Sequence, residues 1–411
     1  MPLQKIIAFI LHLAASGKPG GVDIQAGLFF KAAQRAGLWP QDAIPTRSAI
    51  SKRRSKVDWT VFQSMLGRAA KLAYQLWPQV PDHLFKGMHV LAIDGSKYTL
   101  PASQSLRQHF DPQSGLQHSG KGHYPQCLVH TLFDALRRLP IARIVTGCDG
   151  SERDAALELV RQAPKNSLVI FDRGYPGYGF QLALMRDFGI HFLIRCPATS
   201  TFPAVMKFVR SGLKEQIIRI SPSNKHYAKT PRKQWAELPD LTVRAIRMTA
   251  PDGSVSVLIT DLTDTRAIGA EELVSLYFRR WTVETQYRDE KQEMQIERFH
   301  GKTPNSILQE LYAVAIVTVI ARLLSALVDH ATPSRQGECQ LKNACVTVAH
   351  NMACLASRNG VMAAQVFDDI LALIARVRYY RPSRARPSQP RITKRPINKW
   401  ITNRGQIAKR C

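Results

Sequence analysis

Acidic residues are scarce in this chain: 31 Asp plus Glu stand against 57 Lys plus Arg in 411 residues, giving a formal net charge of +26 and a pI near 10.1. So large a deficit argues against an ordinary neutral metabolic enzyme and calls for a polyanionic partner, either nucleic acid or an anionic membrane surface. Cysteine is also sparse. There are 7, an odd number, and no C-x-x-C pair, which speaks against a disulfide framework and a structural zinc cluster and for the cytosol. Long apolar runs are missing too: Leu311 to Val328 contains Arg322 and falls short of the ~20 residues a bilayer crossing needs. It reads as a buried helix, and no membrane partner is expected. The apolar N-terminus is broken by His12 and carries only Lys5 as side-chain charge, a poor secretion signal. What is plentiful is hydrophobic residues, at 45%. They suffice for a large core divided over two or three domains.

Composition divides the chain into six regions. Residues 1–86 have helical periodicity and a basic knot at Arg47, Lys52, Arg53, Arg54 and Lys56, on a short helix entered through a Thr or Ser cap. That knot reads as a DNA-contacting module, with Arg53 and Arg54 as candidate contacts, or as a solvated basic face. Residues 87–196 alternate strands and helices in α/β order: strands at 89–94, 125–134, 139–147, 167–172 and 191–195, and helices opening at Ser151 and near 178. Residues 197–264 break this rhythm with three short β-like runs, and eight basic residues lie between Lys207 and Lys233 with Glu215 the one acid, which predicts an inserted β-rich subdomain. A long helix follows within 265–300, and a helical region within 301–375. The tail, 376–411, holds twelve Lys or Arg, no acid and several prolines, and is expected to be extended. Without it the charge is still 26 − 12 = +14, so the folded body is basic as well.

Asp94 and Asp172 each close an apolar strand run, and the carboxyl ends of strands are where α/β sheets present their ligands. Strand-end aspartates also simply open turns. If the two strands are neighbours, carboxylates about 4 Å apart repel by about 4 kcal/mol at an effective dielectric of about 20, so a cation is the natural occupant. Oxygen donors favour Mg²⁺ or Mn²⁺ over zinc. On the helix expected at 268–293, Tyr277, Arg280, Glu284 and Lys291 project at about 0°, 300°, 340° and 320°, and the other acids point elsewhere. A lone carboxylate flanked by a phenol, a guanidinium and an ammonium is suited to hold a metal while its neighbours grip phosphate oxygens. A salt-bridge ladder would need more acids on that stripe.

Tyr277-x2-Arg280-x3-Glu284-x6-Lys291, the strand ending in Asp94-Gly95, and Asp172-Arg173-Gly174-Tyr175 together resemble a bacterial insertion-sequence DDE transposase of the Tyr-Arg-Glu-Lys signature group. The resemblance runs from about residue 40 to the basic tail. It implies a ribonuclease-H-like catalytic core with a β-rich insertion between the second Asp and the Glu, here 284 − 172 = 112 residues. Carried over, Asp94, Asp172 and Glu284 match the metal-binding catalytic acids, and Tyr277, Arg280 and Lys291 match residues that contact transposon-end DNA. In some relatives an aromatic residue of the insertion stacks on a flipped base, and Trp235 is the candidate for that here. Trp281 is expected to pack the helix against the sheet. The implied reaction is phosphoryl transfer by two metal ions about 3.5 to 4 Å apart. Water releases a 3′-hydroxyl at the element's end, which then attacks target DNA. Duplex DNA is the expected partner, a homodimer bridging two ends the expected assembly, and the cytoplasm, on the nucleoid, the expected location. A catalytically silent end-binding protein and a metal-dependent nuclease without strand transfer are the alternatives.

Two further patterns carry less. The glycine-rich stretch 115–122 has Gly122 where a P-loop needs Ser or Thr, and no strand before it. In His123-x3-Cys127-x2-His130, strand alternation turns Cys127 and His130 to opposite faces, which disfavours zinc.

Overall fold

The computed structural model describes residues 1–15, 20–40, 43–112, 124–229, 232, 238–250, 252–333, 336–357 and 360–380. Trp235, the glycine-rich stretch, His123 and nearly all of the basic tail lie outside the described residues. Helices α1 (Leu3–Ala15), α2 (Val22–Arg35), α3 (Arg47–Arg54) and α4 (Thr60–Leu76) come first. Then follow β1 (His89–Thr99), α5 (Gln104–Phe110), β2 (Gln126–Asp134), β3 (Leu139–Gly147), α6 (Glu152–Val160), β4 (Ser167–Phe171), α7 (Tyr178–Ala183) and β5 (His191–Pro197). Next come α8 (Pro203–Arg210), β6 (Glu215–Ile220), α9 (Asn224–Lys229), β7 (Leu241–Thr249) and β8 (Val255–Thr260). The chain continues through α10 (Ala270–Tyr277), α11 (Trp281–Arg288), α12 (Pro304–Ala331), β9 (Glu338–Cys339), α13 (Leu341–His350), α14 (Met352–Leu355), α15 (Gly360–Arg376) and β10 (Arg378–Tyr379).

The class is α/β. Among the described residues, eight strands form one mixed sheet in the order β3-β2-β1-β4-β5-β8-β7-β6, and β9 pairs separately with β10. Within the large sheet β1, β4 and β5 run parallel, and the remaining pairs are antiparallel. Residues 197–264 thus supply β6, β7 and β8 to the edge of this sheet; among the described residues they form no separate sheet. Strand alternation gives it two apolar faces. Val90, Leu168, Ile170 and Leu193 pack under Leu273 and Leu276 of α10, while Leu91, Ile93, Val169 and Phe171 pack on Ala156, Leu159 and Phe180 from α6 and α7.

The helical layer is centred on α12, entered through a Thr303 cap that accepts from the Ser306 N–H, with Pro304 in the first turn. With 28 residues, α12 exceeds the run anticipated from the sequence and is long and apolar enough to cross a membrane by length and composition alone. Yet 78% of its most apolar stretch is buried inside the protein, where it packs against α1, α4, α13 and β3. Each Leu, Ile or Val buried there contributes about 1.5–3 kcal/mol.

Two buried ion pairs lock this layer to its neighbours. Arg143 of β3 meets Glu290 at 2.5 Å with both side chains fully buried. Glu290 also accepts from Tyr98 (2.6 Å) and Gln286 (3.0 Å), and Arg143 donates to the Leu311 carbonyl (2.7 Å). Arg54, at the end of α3, meets Glu310 at 2.9 Å and donates to Gln309 (2.7 Å). Here the structure corrects the sequence reading. The Thr46 cap of α3 forms as expected, accepting from the Ala49 N–H, but Arg54 turns inward, 7% exposed, and is spent on α12 instead of facing a phosphate. Arg53 beside it is half-buried.

Candidate functional site

Asp94 does not end its strand. β1 continues to Thr99 because Gly95 to Thr99 remain paired with β2, whereas the parallel ladder with β4 stops at Ala92↔Ile170. Continuing that register two residues sets Asp94 level with Asp172, which follows the last residue of β4. Both positions share the phase of Ala92 and Ile170, the face covered by α10 and α11. The acids therefore stand at the carboxyl end of the parallel pair, where strand separation opens a crevice.

The segment after Gly269 crosses this edge. It is one helical run of three textures: α10, a 3₁₀ turn over Phe278–Arg280, α11, and a π turn over Asp289–Glu293. A 3₁₀ turn advances about 120° per residue against about 100° in an α-helix. That brings Tyr277 and Arg280 into line and swings Trp281 off the stripe. Trp281 accordingly does not pack on the sheet. It is 43% exposed and lines a separate cleft with Phe278, Arg279, Tyr379 and Tyr380.

The stripe itself meets the strand acids. The Tyr277 hydroxyl donates to Asp172 Oδ1 at 3.3 Å. Arg280, 4% exposed, donates to Glu284 Oε1 at 2.7 Å and stands 3.8 Å from Asp94 Oδ2. Lys291 donates to Ser96 Oγ and the Lys97 carbonyl, both at 2.7 Å, and its ammonium lies 4.5 Å from the Tyr98 ring centre. Tyr287 donates to the Asp94 carbonyl at 2.6 Å, fixing the backbone under the carboxylate. Asp94, Gly95, Ser96, Glu284 and Lys291 line an open cleft of about 410 Å³.

Charge in this cleft is imperfectly balanced. Burial first, and then the negative charges of Glu284 and Glu152, push the Asp94 carboxyl up to about 7 in spite of Arg280. Burial alone would lower the guanidinium of Arg280, but the charges of Asp172 and Asp94 more than offset it and hold it above its ordinary value. Burial and Asp172 raise the Tyr277 phenol, so it remains a donor at neutral pH. Arg280 is the cation shared by Asp94, Asp172 and Glu284. Among the described residues no three His, Cys, Asp or Glu side chains are grouped closely enough to hold a metal ion.

Two neighbours were not assigned to this site from the sequence. Glu152 opens α6 and was visible only as a first-turn acid. His130 was weighed as a zinc ligand with Cys127, but Cys127 packs into the core on the other side of β2. His130 is fully buried beside Gly95, its Nε2 3.1 Å from Thr146 Oγ1, and burial depresses its imidazole to about 4.

Known proteins resemble this chain. The transposase InsG for insertion sequence element IS4 from Escherichia coli (strain K12) is 24% identical over 366 residues, covering 86% of this chain and 78% of that protein. The putative transposase y4zB from Sinorhizobium fredii (strain NBRC 101917 / NGR234) is 25% identical over 201 residues, covering 48% of this chain and 53% of its own. Among solved structures, the piggyBac transposase synaptic complex with hairpin DNA aligns with a TM-score of 0.45 at 12% identity, over 98% of this chain and 80% of that one. The model of the transposase DDE domain matches residues 86–320, a span that takes in β1, β4 and the helical run from α10 to α11, and the chain belongs to that family of transposases.

Proposed function

We propose that this transposase binds the ends of an insertion sequence, cleaves them by metal-dependent hydrolysis and joins the freed 3′-hydroxyl to target DNA. In this reading β1 to β5 form a ribonuclease-H-like core, and the Tyr277, Arg280, Glu284, Lys291 stripe is the signature of the Tyr-Arg-Glu-Lys group. Asp94, Asp172 and Glu284 are the acids that hold Mg²⁺, with Mn²⁺ as substitute. The observation that carries it is the Arg280 guanidinium set among these acids at the open end of the parallel strands.

The residues fit a hard divalent cation. Their donors are all carboxylate oxygens, and burial together with the charges of Glu284 and Glu152 pushes the Asp94 carboxyl up to about 7, a cost that a bound cation would offset. A bound divalent ion would supply Lewis-acid polarisation of the scissile phosphate and lower the pKa of an attacking water. The chain's own groups do the rest. The Tyr277 hydroxyl orients the Asp172 carboxylate. Arg280 can pass from Glu284 to a phosphate oxygen, since a guanidinium grips either anion through paired N–H donors. Lys291, at the rim of the cleft, presents a third cation to the DNA backbone. Arg53 and the basic tail add charge along the duplex, Trp235 remains the candidate for stacking on an unpaired base, and two copies would bridge two ends.

The test supplies the purified chain with a duplex bearing the element's terminal repeats and Mg²⁺. A pre-cut end with a free 3′-hydroxyl is then offered together with a supercoiled plasmid. Cleavage and plasmid joining are expected, both abolished in Asp94→Asn and Glu284→Gln with end binding retained. Cleavage without joining would reduce the protein to a nuclease, and binding without either would make it a silent end-binding protein.

A further inference from the structure

Gly95 and Gly174, the glycines that follow the two aspartates, surround one side chain. A Cβ built on Gly95 would stand 3.1 Å from Glu152 Oε1, tighter than most real contacts, and one on Gly174 would stand 3.9 Å from Glu152 Oε2. The carboxylate thus sits in the notch that the missing side chains leave between β1 and the turn after β4. α6 aims it there: Ser151 caps the helix by accepting from the Asp154 N–H, and Glu152 is its first residue. The side chain faces solvent on its outer side, so a cation can reach it.

Two buried polar atoms lie near this carboxylate, His130 Nδ1 and the Tyr175 hydroxyl. His130 Nδ1 would lie 3.3 Å from the same Cβ on Gly95, and the residue is 0% exposed. The Tyr175 hydroxyl, on a residue 1% exposed, feels the charges of Glu152, Asp94 and Asp172. Neither atom has a hydrogen-bond partner among the described residues. Buried polar atoms are rarely left unpaired, and their gathering around a carboxylate marks a place that takes a polar occupant. Waters on a hydrated divalent ion would satisfy both.

From this geometry we propose that Glu152 is a fourth carboxylate of the cation site, joining Asp94 and Asp172 across the Gly95–Gly174 notch. The proposal rests on the reading of Asp94, Asp172 and Glu284 as cation-holding acids. It gives Gly95 a role, keeping open the seat of the Glu152 carboxylate, while Gly174 borders that seat at ordinary contact distance. His130 and Tyr175 act as positioning residues, orienting water around the ion.

The experiment measures Mn²⁺ binding to the full chain without DNA, by calorimetry and by the loss of the free-ion paramagnetic signal, in wild type, Glu152→Gln, Glu152→Asp and Asp94→Asn. Glu152→Gln is expected to weaken Mn²⁺ at least about tenfold, the scale on which groups around a metal ligand act. Glu152→Asp should recover part of the loss. In wild type, Fe²⁺ with ascorbate and peroxide should cut the backbone near residue 152 as well as near 94 and 172, which keeps the test alive if a variant fails to fold. Mn²⁺ affinity unchanged in Glu152→Gln but lost in Asp94→Asn, or iron cuts near 94 and 172 and none near 152, would overturn the role of Glu152 alone. Affinity unchanged in Asp94→Asn, or no iron cuts at either aspartate, would overturn the reading beneath it.

Discussion

The raised carboxyl of Asp94 makes an unusual prediction: removing a proposed catalytic charge should stabilise the metal-free protein. Its pKa moves from 3.8 in the unfolded chain to about 7 in the fold. Between those values the native state holds a proton that the unfolded state has lost, so stability falls as pH rises through that window and is flat above it. At about 1.4 kcal/mol per unit the loss is bounded at about 4 kcal/mol, and relaxation of the site or entry of water would reduce it. Asp94→Asn keeps the shape and loses this titration. Urea unfolding in EDTA at a series of pH values should show the variant gaining on wild type from pH 4 to pH 7, with a plateau advantage of about 2–4 kcal/mol. The difference between the two proteins is the quantity to read, since His130, depressed to about 4, contributes stability that rises with pH over an overlapping range in both. Millimolar Mg²⁺ should then stabilise wild type and leave the variant unmoved, because an ion that binds only the folded state adds stability in proportion to its occupancy. Equal or lower stability of Asp94→Asn at pH 7.5 in EDTA would show instead that the carboxylate is already well compensated.

Other expectations follow from the ion pairs and the stripe. Glu290→Ala leaves Arg143 buried and unpaired and should cost about 3–5 kcal/mol, read from the urea midpoint; a loss below about 0.5 kcal/mol, the scale of a surface change, would contradict that network. Arg54→Ala should also destabilise the fold, by removing the buried guanidinium from Glu310, which keeps only its His300 and Gly301 contacts, while leaving the salt dependence of DNA binding unchanged; a shallower salt slope would return Arg54 to the DNA surface. Lys291→Ala should weaken end binding and lower the salt slope by about one unit, measured by fluorescence anisotropy at several salt concentrations, and an unchanged slope would count against a phosphate contact.

Much of this was legible in the sequence because periodicity reports burial. The apolar runs at 89–94 and 167–172 are strands since both faces of β1 and β4 are covered, and the spacing of Tyr277, Arg280, Glu284 and Lys291 survives in the structure because one helical run carries all four residues. Local deviations were invisible. The 3₁₀ turn at Phe278–Arg280 shifts the wheel and exposes Trp281. The reach of β1 past Asp94 depends on pairing with β2, a long-range contact with no local signal. Arg54 read as surface charge because Glu310, its partner, is 256 positions away in the chain. Strands β6 to β8 were visible one by one, but not their addition to the edge of the same sheet. Glu152 had no spacing to betray it, and the one hint was a glycine soon after each aspartate.

In the proposed function, strand cleavage depends on Asp94, Asp172 and Glu284 serving as one cation-binding unit. The most direct test is a crystal structure of the full chain with end DNA and Mn²⁺, read by anomalous scattering at the manganese edge. Manganese density is expected between the Asp94 and Asp172 carboxylates, with Glu284 turned toward it and Arg280 released onto a DNA phosphate. Manganese bound elsewhere, or no manganese with Arg280 still held by Glu284 and Asp94 beside a bound end, would contradict the proposed function.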